Sequence, residues 1–377
     1  MVDLPMAGSP HVDPHVDPHV DPMSVLLVGY AHGEGGITTH THWLAHGLAE
    51  RGHKVRVLSP QPPAGQPECP WPDRGYAVDH YEGAGDVLRG FSALGKERFD
   101  VAVVAGTGWK AMGGVLANRR IRRRVFFEVM SGDALGLIDP RRLVHAGFDG
   151  IVTMGSAIED SFCRDFRWRG PRAIIPALPK PLELVASIPD RGMIAPDGKP
   201  RAAYFGRLAL HKGVGFLVEQ WGPLSQHLQS LDIYGTGDEQ EAITARIAEL
   251  GLGDSIRLHG RYPDEQGYVD LLKNYDLMLL PTTGLEGAPL VLLEGMACGL
   301  PFVVNGMGGV SHYANQDSRI TSGDIAEFIP AVADLAREIA AGRVDGSRLQ
   351  RHYHDHFSYE VLVGQWESYL HALARGA

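Results

Sequence analysis

The feature that most constrains the fold is an alternation of short apolar runs with stretches of helical spacing. Residues 24–29 form an apolar run that ends at a glycine-rich loop, and residues 37–51 then show the spacing of an amphipathic helix. Apolar runs without polar alternation are typical of parallel strands that are buried on both faces. Further strands of this kind are predicted at 55–58, 100–105, 125–129 and 150–154. Strands that alternate with helices predict a doubly wound parallel sheet, so the fold class is α/β.

The alternation restarts after residues 179–200, a segment rich in proline, aspartate and glycine that we interpret as a linker. The second set of predicted elements comprises strands at 202–205, 231–234, 256–259, 277–280 and 301–304, and helices at 213–219, 238–250, 290–298 and 359–373. Two Rossmann-like domains in tandem enclose a cleft. Sheets of this type bind ligands outside the carboxyl ends of their strands.

Composition excludes several classes of protein. The chain has 377 residues and a formal net charge of −10, which is the wrong sign for a nucleic-acid binder. Cys69, Cys163 and Cys298 lie far apart, which argues against a zinc site or a disulfide framework and favours a cytoplasmic location. No apolar run is long enough to span a bilayer. Residues 1–22 contain three His-Val-Asp-Pro repeats and are interpreted as a tag or disordered leader.

One local feature opposes the acidic composition. Five of the six residues from Arg119 to Arg124 are arginine. Such a cluster could contact anionic lipid, but we interpret it as the solvated end of a helix and expect no membrane association.

The segment from Pro281 to Gly299 carries the strongest chemical signal. A strand leads into a loop that contains Glu286, and a helix follows it. The free amides at the helix start, over Gly287, Ala288, Pro289 and Leu290, are suited to bind a phosphate. Glu294 lies in the second turn among apolar residues, where a carboxylate can accept hydrogen bonds from the two hydroxyls of a ribose.

This segment resembles the E-x7-E signature of the retaining glycosyltransferases of family 4, which have the GT-B fold. Other segments resemble that family's motifs in the same order along the chain. They are the N-domain loop at Gly35 and Gly36, the basic pair Arg207 and Lys212 after Gly206, the Gly235 to Gly237 turn, Arg261 near the nucleobase, and the Gly-rich turn 306–309.

The resemblance implies a set of roles. Glu286, Arg207 and Lys212 would be catalytic, with the two cations neutralising the leaving diphosphate and no metal or other cofactor required. The donor would be a nucleoside diphosphate sugar, most simply one of UDP or GDP. An N-terminal acceptor domain over 23–185, a donor domain over 186–355 and a helix over 356–377 that crosses back to the first domain would complete the fold.

The chain departs from the family pattern on the acceptor side. Family members often have a histidine at the end of an N-domain strand, but residues 125–132 contain none, and Glu128 or Met130 occupies that neighbourhood. His32, His40, Glu128 and Trp109 are therefore the candidate acceptor residues. His42 and His46 are spaced as a possible metal pair on one helix face, but no third ligand is evident and we predict no metal site.

We therefore predict a retaining, metal-independent transferase that acts on a small soluble acceptor. Three alternatives stay open at this point. They are an acceptor that is a lipid or polysaccharide at a membrane surface, an epimerase with the same fold, and a non-catalytic nucleotide-sugar-binding protein.

Overall fold

The structure is a computed structural model that describes residues 21–33, 35–63, 75–106, 108–136, 138–284 and 287–376. The described residues contain two sheets, and every strand pair within them is parallel. This arrangement confirms the predicted α/β class with two doubly wound domains.

The first sheet has seven strands in the order β3-β2-β1-β4-β5-β6-β7. Its strands are β1 (Ser24–Val28), β2 (Lys54–Pro60), β3 (Ala77–Tyr81), β4 (Phe99–Ala105), β5 (Ile121–Glu128), β6 (Gly150–Thr153) and β7 (Arg172–Ile174). The helices between them are α1 (Gly36–Glu50), α2 (Gly83–Leu88), α3 (Trp109–Ala117) and α4 (Ser156–Phe166). All strands point the same way, so their carboxyl ends share one edge.

The second sheet has six strands in the order β10-β9-β8-β11-β12-β13. Its strands are β8 (Arg201–Phe205), β9 (Ser230–Tyr234), β10 (Ile256–Gly260), β11 (Leu277–Leu280), β12 (Phe302–Val304) and β13 (Arg319–Ile320). The helices from the connecting segment onward are α5 (Leu182–Val185), α6 (Val214–Glu219), α7 (Trp221–Leu224), α8 (Gln240–Glu249), α9 (Glu265–Leu272), α10 (Leu290–Ala297), α11 (Phe328–Ala340), α12 (Gly346–His356) and α13 (Tyr359–Arg375).

Alternate residues of the central strands enter two different apolar clusters. In β1, Val25 and Leu27 pack in one cluster, whereas Leu26 and Val28 pack in the other. All four side chains are less than 5% exposed. Because both faces of the strand are buried, its sequence is a continuous apolar run rather than an alternation.

The last helix, α13, packs on the first domain, as expected from the family resemblance. Trp366 is fully buried and its ring centroid lies 5.2 Å from that of Phe127 in β5. The Tyr369 hydroxyl donates to the carbonyl of Ile151 at 3.0 Å. Glu367 accepts from Arg51 at 2.7 Å, which fixes the helix beside the end of α1.

The arginine cluster differs in place from the prediction. Helix α3 ends at Ala117, and the chain turns through Arg119 and Arg120 before β5 begins at Ile121. The residues 122–124 are therefore strand residues rather than the end of a helix. The strands β3, β7 and β13 were also not predicted. Among the described residues, none of the helices combines the length and apolar character that crossing a bilayer requires.

Candidate functional site

The loops that follow β8, β9 and β10 are joined through their backbones at the carboxyl edge of the second sheet. Gly206 donates to the carbonyl of Tyr234 at 3.0 Å, and Gly235 donates to the carbonyl of Gly260 at 2.6 Å. A β-carbon on Gly235 would lie 1.8 Å from the carbonyl oxygen of Gly206. Only glycine fits there, so the first two loops form one continuous backbone surface.

The segment that carries Lys212 is held against the loop after β11. Gly213 has a φ of 73°, and a β-carbon there would lie 2.3 Å from the carbonyl oxygen of Pro281. The N–H of Thr283 donates to the carbonyl of His211 at 2.9 Å. These contacts bring half-buried Lys212 next to the loop that leads into α10.

Arg207 is exposed beside the same loops. The Tyr204 hydroxyl donates to its carbonyl at 2.9 Å, which fixes the backbone while the side chain stays solvated. Arg261 is also exposed, directly after β10. The ring of His259 stacks on Tyr234 with centroids 4.6 Å apart, so an aromatic surface adjoins Arg261.

Helix α10 begins at Leu290, as predicted, but only three of the four predicted amides can donate. Pro289 is the cap residue and has no N–H, so it contributes no donor, and the helix starts at Leu290. The N–H groups of Gly287, Ala288 and Leu290 meet no backbone acceptor among the described residues. Three amides, rather than four, can therefore bind an anion here. Glu286 lies outside the described residues, so its role stays a prediction.

The first turns of α1 and α10 face each other across the two domains. Gly35 caps α1 with a φ of 151°, and a β-carbon on Gly36 would lie 3.4 Å from the Leu290 Cδ1 atom. Each helix start carries partial positive charge from its aligned peptide dipoles. Two such helix starts in contact, with Lys212 and Arg207 nearby, make a site suited to a compact dianion such as a diphosphate.

Backbone contacts between small residues join the same two regions. Gly309 donates to the carbonyl of Gly287 at 2.6 Å. A β-carbon on Gly287 would lie 2.7 Å from the carbonyl oxygen of Val129, and one on Gly155 would lie 2.8 Å from Gly309. The loops after β5 and β6 of the first sheet therefore lie directly against the loop before α10.

Glu294 is in the second turn of α10, as predicted, and is partly buried. Burial raises the pKa of its carboxyl to about 7, although the Tyr268 hydroxyl and Lys180 oppose part of that rise. A carboxyl that titrates near neutrality inside a cleft is typical of a ligand-binding group. Lys180 and Tyr268 were not identified from the sequence, because they come from the connecting segment and from α9.

His32 and Trp109 lie at the carboxyl edge of the first sheet. His32 is buried, its Nδ1 atom lies 3.1 Å from the Ser59 hydroxyl, and burial lowers its pKa, so it is neutral at physiological pH. Trp109 is the first residue of α3 and is 51% exposed. Both positions are compatible with contact to an acceptor.

His40 is a core residue, which contradicts its assignment to the acceptor site. It is 2% exposed, and its Nδ1 atom accepts a hydrogen bond from the N–H of Leu178 at 3.1 Å. Its ring centroid lies 4.6 Å from that of Phe127 and 5.6 Å from that of Trp366. Burial lowers the pKa of His40 to about 3, so it stays neutral and structural.

Glu128 is also not available to an acceptor, because both of its oxygens are engaged. Oε1 accepts from the N–H of Met130 at 2.7 Å, and Oε2 accepts from Arg141 at 2.9 Å. Arg141 additionally donates to Asp139 at 2.7 Å, and no side chain of this triad is exposed to solvent. Burial raises the pKa of the Glu128 carboxyl, which Arg141 opposes. The Asp139-Pro140 pair marks a helix start, but nothing in the sequence indicates that Arg141 turns back to Glu128.

Three side chains of the described residues are close enough to hold a metal ion, and they are away from this site. The ligand atoms of His53, Glu367 and His371 lie within 4.8 Å of one another. The N–H of Met23 donates to His53 Nδ1 at 3.1 Å, so Nε2 carries the proton and donates to Glu367 at 2.8 Å. These hydrogen bonds account for His53 and Glu367, whereas the buried Nε2 atom of His371 has no hydrogen-bond partner among the described residues. The cluster lies at the amino-terminal edge of the first sheet. Of the possible metal pair His42 and His46, His42 forms a hydrogen bond through Nδ1 with the Tyr76 hydroxyl at 2.7 Å.

Two family models match the chain. Residues 35–177 match a model described as a glycosyl transferase 4-like domain, and residues 199–338 match one described as glycosyl transferases group 1. The GtfA subunit of the UDP-N-acetylglucosamine–peptide N-acetylglucosaminyltransferase of Streptococcus parasanguinis is 27% identical over 179 residues, which are 44% of this chain and 34% of that protein.

A second relative has the same sequence identity to this chain. The N-acetyl-alpha-D-glucosaminyl L-malate synthase of Bacillus anthracis is 27% identical over 146 residues, which are 38% of this chain and 37% of that enzyme. The chain thus spans little more than a third of the length of either relative.

Solved structures share the whole architecture. The sucrose-phosphate synthase of Thermosynechococcus elongatus superposes with a TM-score of 0.71 at 17% identity. The match covers 94% of this chain and 100% of the synthase chain. Anabaena HepE in complex with UDP has a TM-score of 0.73 at 16% identity, over 93% of this chain and 100% of its own. At these identities the likeness shows the fold alone.

Proposed function

Since this chain belongs to the family 4 glycosyltransferases, which have the GT-B fold, we propose that it transfers a sugar from a nucleoside diphosphate sugar to an acceptor hydroxyl with retention of anomeric configuration. The observation that carries the proposal is the contact between the first turns of α1 and α10 at Gly36 and Leu290. A diphosphate between them would meet amides from both domains, and Arg207 and Lys212 from one side.

The chemistry at such a site needs positive charge where the leaving group forms. The bond between the anomeric carbon and the diphosphate oxygen breaks, and the acceptor oxygen bonds to that carbon on the same face. The acceptor's proton passes to a diphosphate oxygen. Arg207, Lys212 and the amides of Gly287, Ala288 and Leu290 would stabilise the charge that develops on the diphosphate, so we propose a metal-independent reaction.

A front-face mechanism fits the acceptor domain better than a double displacement. A double displacement requires a carboxylate nucleophile under the sugar, and Glu128, the last residue of β5, is the carboxylate that an N-domain strand end would offer for this role. Its oxygens are bound to Arg141 and to the backbone of Met130, which supports a mechanism without that nucleophile. Glu286 would orient the sugar by its hydroxyls.

For the substrates, we propose a small soluble acceptor and a donor with UDP or GDP. The solved structure of HepE holds UDP, which supports a uridine donor. A neutral His32 and an exposed Trp109 ring at the carboxyl edge of the first sheet would bind a polar hydroxyl and the apolar face of an acceptor. Cys163 and Cys298 are free thiols, which fits a cytoplasmic enzyme.

The test of this function combines donor identification with product stereochemistry. A thermal-shift screen with UDP-, GDP-, ADP- and TDP-sugars selects the donor by the largest stabilisation. We then expect an α-linked product from the α-linked donor, with unchanged turnover in excess EDTA, both measured by proton NMR. A β-anomeric signal would exclude retention, and loss of turnover on chelation would exclude the metal-free mechanism.

The role of Glu294 predicts a pH dependence of donor binding. Its pKa of about 7 means that the carboxyl becomes ionised as the pH rises through neutrality. Only the carboxylate accepts hydrogen bonds from both ribose hydroxyls, so donor affinity should rise between about pH 6 and pH 8. Glu294→Gln should raise the donor KM strongly and abolish this rise.

Isothermal titration calorimetry across that pH range checks the prediction. The Glu294→Gln protein also serves as the control for titration of the ligand's own phosphates. Parallel affinity profiles in the two proteins would mean that Glu294 does not contact the donor.

A further inference from the structure

The amino-terminal edge of the first sheet, opposite its ligand-binding edge, carries a row of basic residues. Because the strands are parallel, the segments that precede β4, β5 and β7 all lie at this edge. The N–H of Phe99 donates to the carbonyl of Arg120 at 3.0 Å, so the start of β4 adjoins the start of β5. We call this surface the basic edge, and its members are Lys96, Arg98, Arg119, Arg120, Arg122, Arg167 and Arg169.

Because of the register of β5, part of the basic edge projects beyond the neighbouring strand β6. β5 pairs with β4 from Ile121 onward, but it pairs with β6 only from Val125. Its first four residues therefore extend beyond β6. Arg122 lies on this extension, and Arg119 and Arg120 precede it.

The charges of the basic edge are not compensated by ion pairs within the described part of the chain. All of its members are exposed, and none forms an ion pair with any residue that the structure describes. Three acidic neighbours have other partners, since Glu97 binds Lys54 and Arg56, Asp149 binds Arg123, and Asp100 accepts from the N–H of Ser24. Uncompensated like charges raise the electrostatic potential at this edge, although the chain as a whole has a net charge of −10.

An exposed apolar side chain adjoins these cations. Leu88, at the end of α2, is 78% exposed. The side-chain amide of Asn118 donates to the carbonyl of Gly90 at 2.9 Å, which brings the turn after Leu88 next to Arg119. Among the described residues, the large aromatic side chains that are exposed, Tyr30 and Trp109, lie at the opposite edge, so they offer no base-stacking surface here.

We propose that the basic edge binds the anionic surface of a phospholipid bilayer. Guanidinium groups bind phosphate oxygens in a bidentate manner, and a leucine beside them can enter the boundary between headgroups and acyl chains. This inference departs from the sequence-based expectation of no membrane association and does not depend on the proposed sugar transfer.

The orientation that follows is specific. β5 has eight residues and is about 26 Å long, so a bilayer at its amino-terminal end is separated from the cleft by the thickness of the domain. The cleft would face the aqueous phase. Membrane binding would then place the enzyme near its partners without supplying the acceptor from the bilayer.

Co-sedimentation of the full chain with vesicles tests the proposal. We expect binding to phosphatidylcholine vesicles that contain about a third phosphatidylglycerol, and none to phosphatidylcholine alone. Binding should be lost as salt is raised towards about 1 M, where the Debye length falls to about 3 Å. Equal binding to both vesicle types, or no binding to either, would overturn the proposal.

Matched variants locate the surface. Arg119→Gln, Arg120→Gln and Arg122→Gln combined should weaken binding to the anionic vesicles by at least about tenfold. Leu88→Ser alone should weaken it several-fold without changing its salt dependence. The control combines three substitutions of exposed arginines in the second domain, Arg257→Gln, Arg337→Gln and Arg351→Gln, and should bind as the wild type does.

Two further measurements complete the design. Thermal unfolding and nucleotide binding should be the same in all variants, because none of these residues lies in the core or the cleft. Equal loss of vesicle binding in both triple variants would show a general charge effect and overturn the assignment. Binding of a single-stranded oligonucleotide that depends on the basic edge, without vesicle binding, would identify a nucleic-acid partner instead.

Discussion

Replacing Arg207 or Lys212 by alanine is expected to lower kcat/KM for the nucleotide-sugar donor by about 30- to 1000-fold, which corresponds to about 2–4 kcal/mol of transition-state stabilisation. The loss arises because each cation would contact the diphosphate between the first turns of α1 and α10. Charge builds up on that diphosphate as the glycosidic bond breaks, so kcat should fall as well as donor affinity.

Steady-state kinetics and calorimetry with the nucleoside diphosphate distinguish the two effects. Lys199→Ala is the matched control, because Lys199 is an exposed lysine at the amino-terminal edge of the second sheet and binds only the carbonyl of Ser225 among the described residues. It should behave as the wild type does. If Arg207→Ala and Lys212→Ala have the same kinetics as Lys199→Ala, the diphosphate does not bind in this part of the cleft.

Arg141→Met is expected to lower the free energy of unfolding by about 3–5 kcal/mol, because it leaves two buried carboxylates without their cation. The methionine retains much of the apolar volume, so the loss is mainly electrostatic. Burial raises the pKa of Glu128 in the folded wild type, whereas hydrogen bonds from Arg141 and the backbone hold the pKa of Asp139 below its usual range. Without Arg141, burial would raise both pKa values above those of the wild type. Stability relative to the wild type should therefore recover as the pH falls and these carboxyls become protonated.

Urea unfolding followed by circular dichroism at several pH values measures this effect. Arg164→Met is the control, since Arg164 forms ion pairs with Asp133 and Asp165 close by, but its side chain is 63% exposed. An exposed pair contributes about 0–1 kcal/mol, so that variant should stay near wild-type stability. A similar loss in both variants would mean that the buried triad is not a special stabilising element.

The sequence predicts most of the central strands because burial on both faces leaves a continuous apolar signal. That signal is missing where strands are exposed or short. β3 reads Ala-Val-Asp-His-Tyr at the border of the sheet, and the first half of β5 consists mainly of arginines. Their strand conformation comes from pairing with β2 and β4, which are distant in sequence, so no local pattern reveals it.

The candidate site shows the same division between local and long-range information. The sequence motifs identify Gly235, where neighbouring atoms exclude a β-carbon. They also identify Glu294, an acidic residue in an apolar helix. No motif predicts the buried hydrogen bonds of Glu128 and His40, because their partners, Arg141 and the backbone of Leu178, come from other parts of the chain. A polar residue at the end of a predicted strand is equally compatible with a ligand contact and with a buried hydrogen-bond network.

The position of α13 has a consequence for biosynthesis. Trp366 fills the core of the first domain beside Phe127, and Glu367 is the buried partner of Arg51 and His53. Chains fold domain by domain as they leave the ribosome. Here the first domain to emerge lacks part of its core until residues 359–375 have been made, after the whole second domain. The nascent first domain therefore exposes an apolar groove throughout translation of the second, and the two domains reach their final state together.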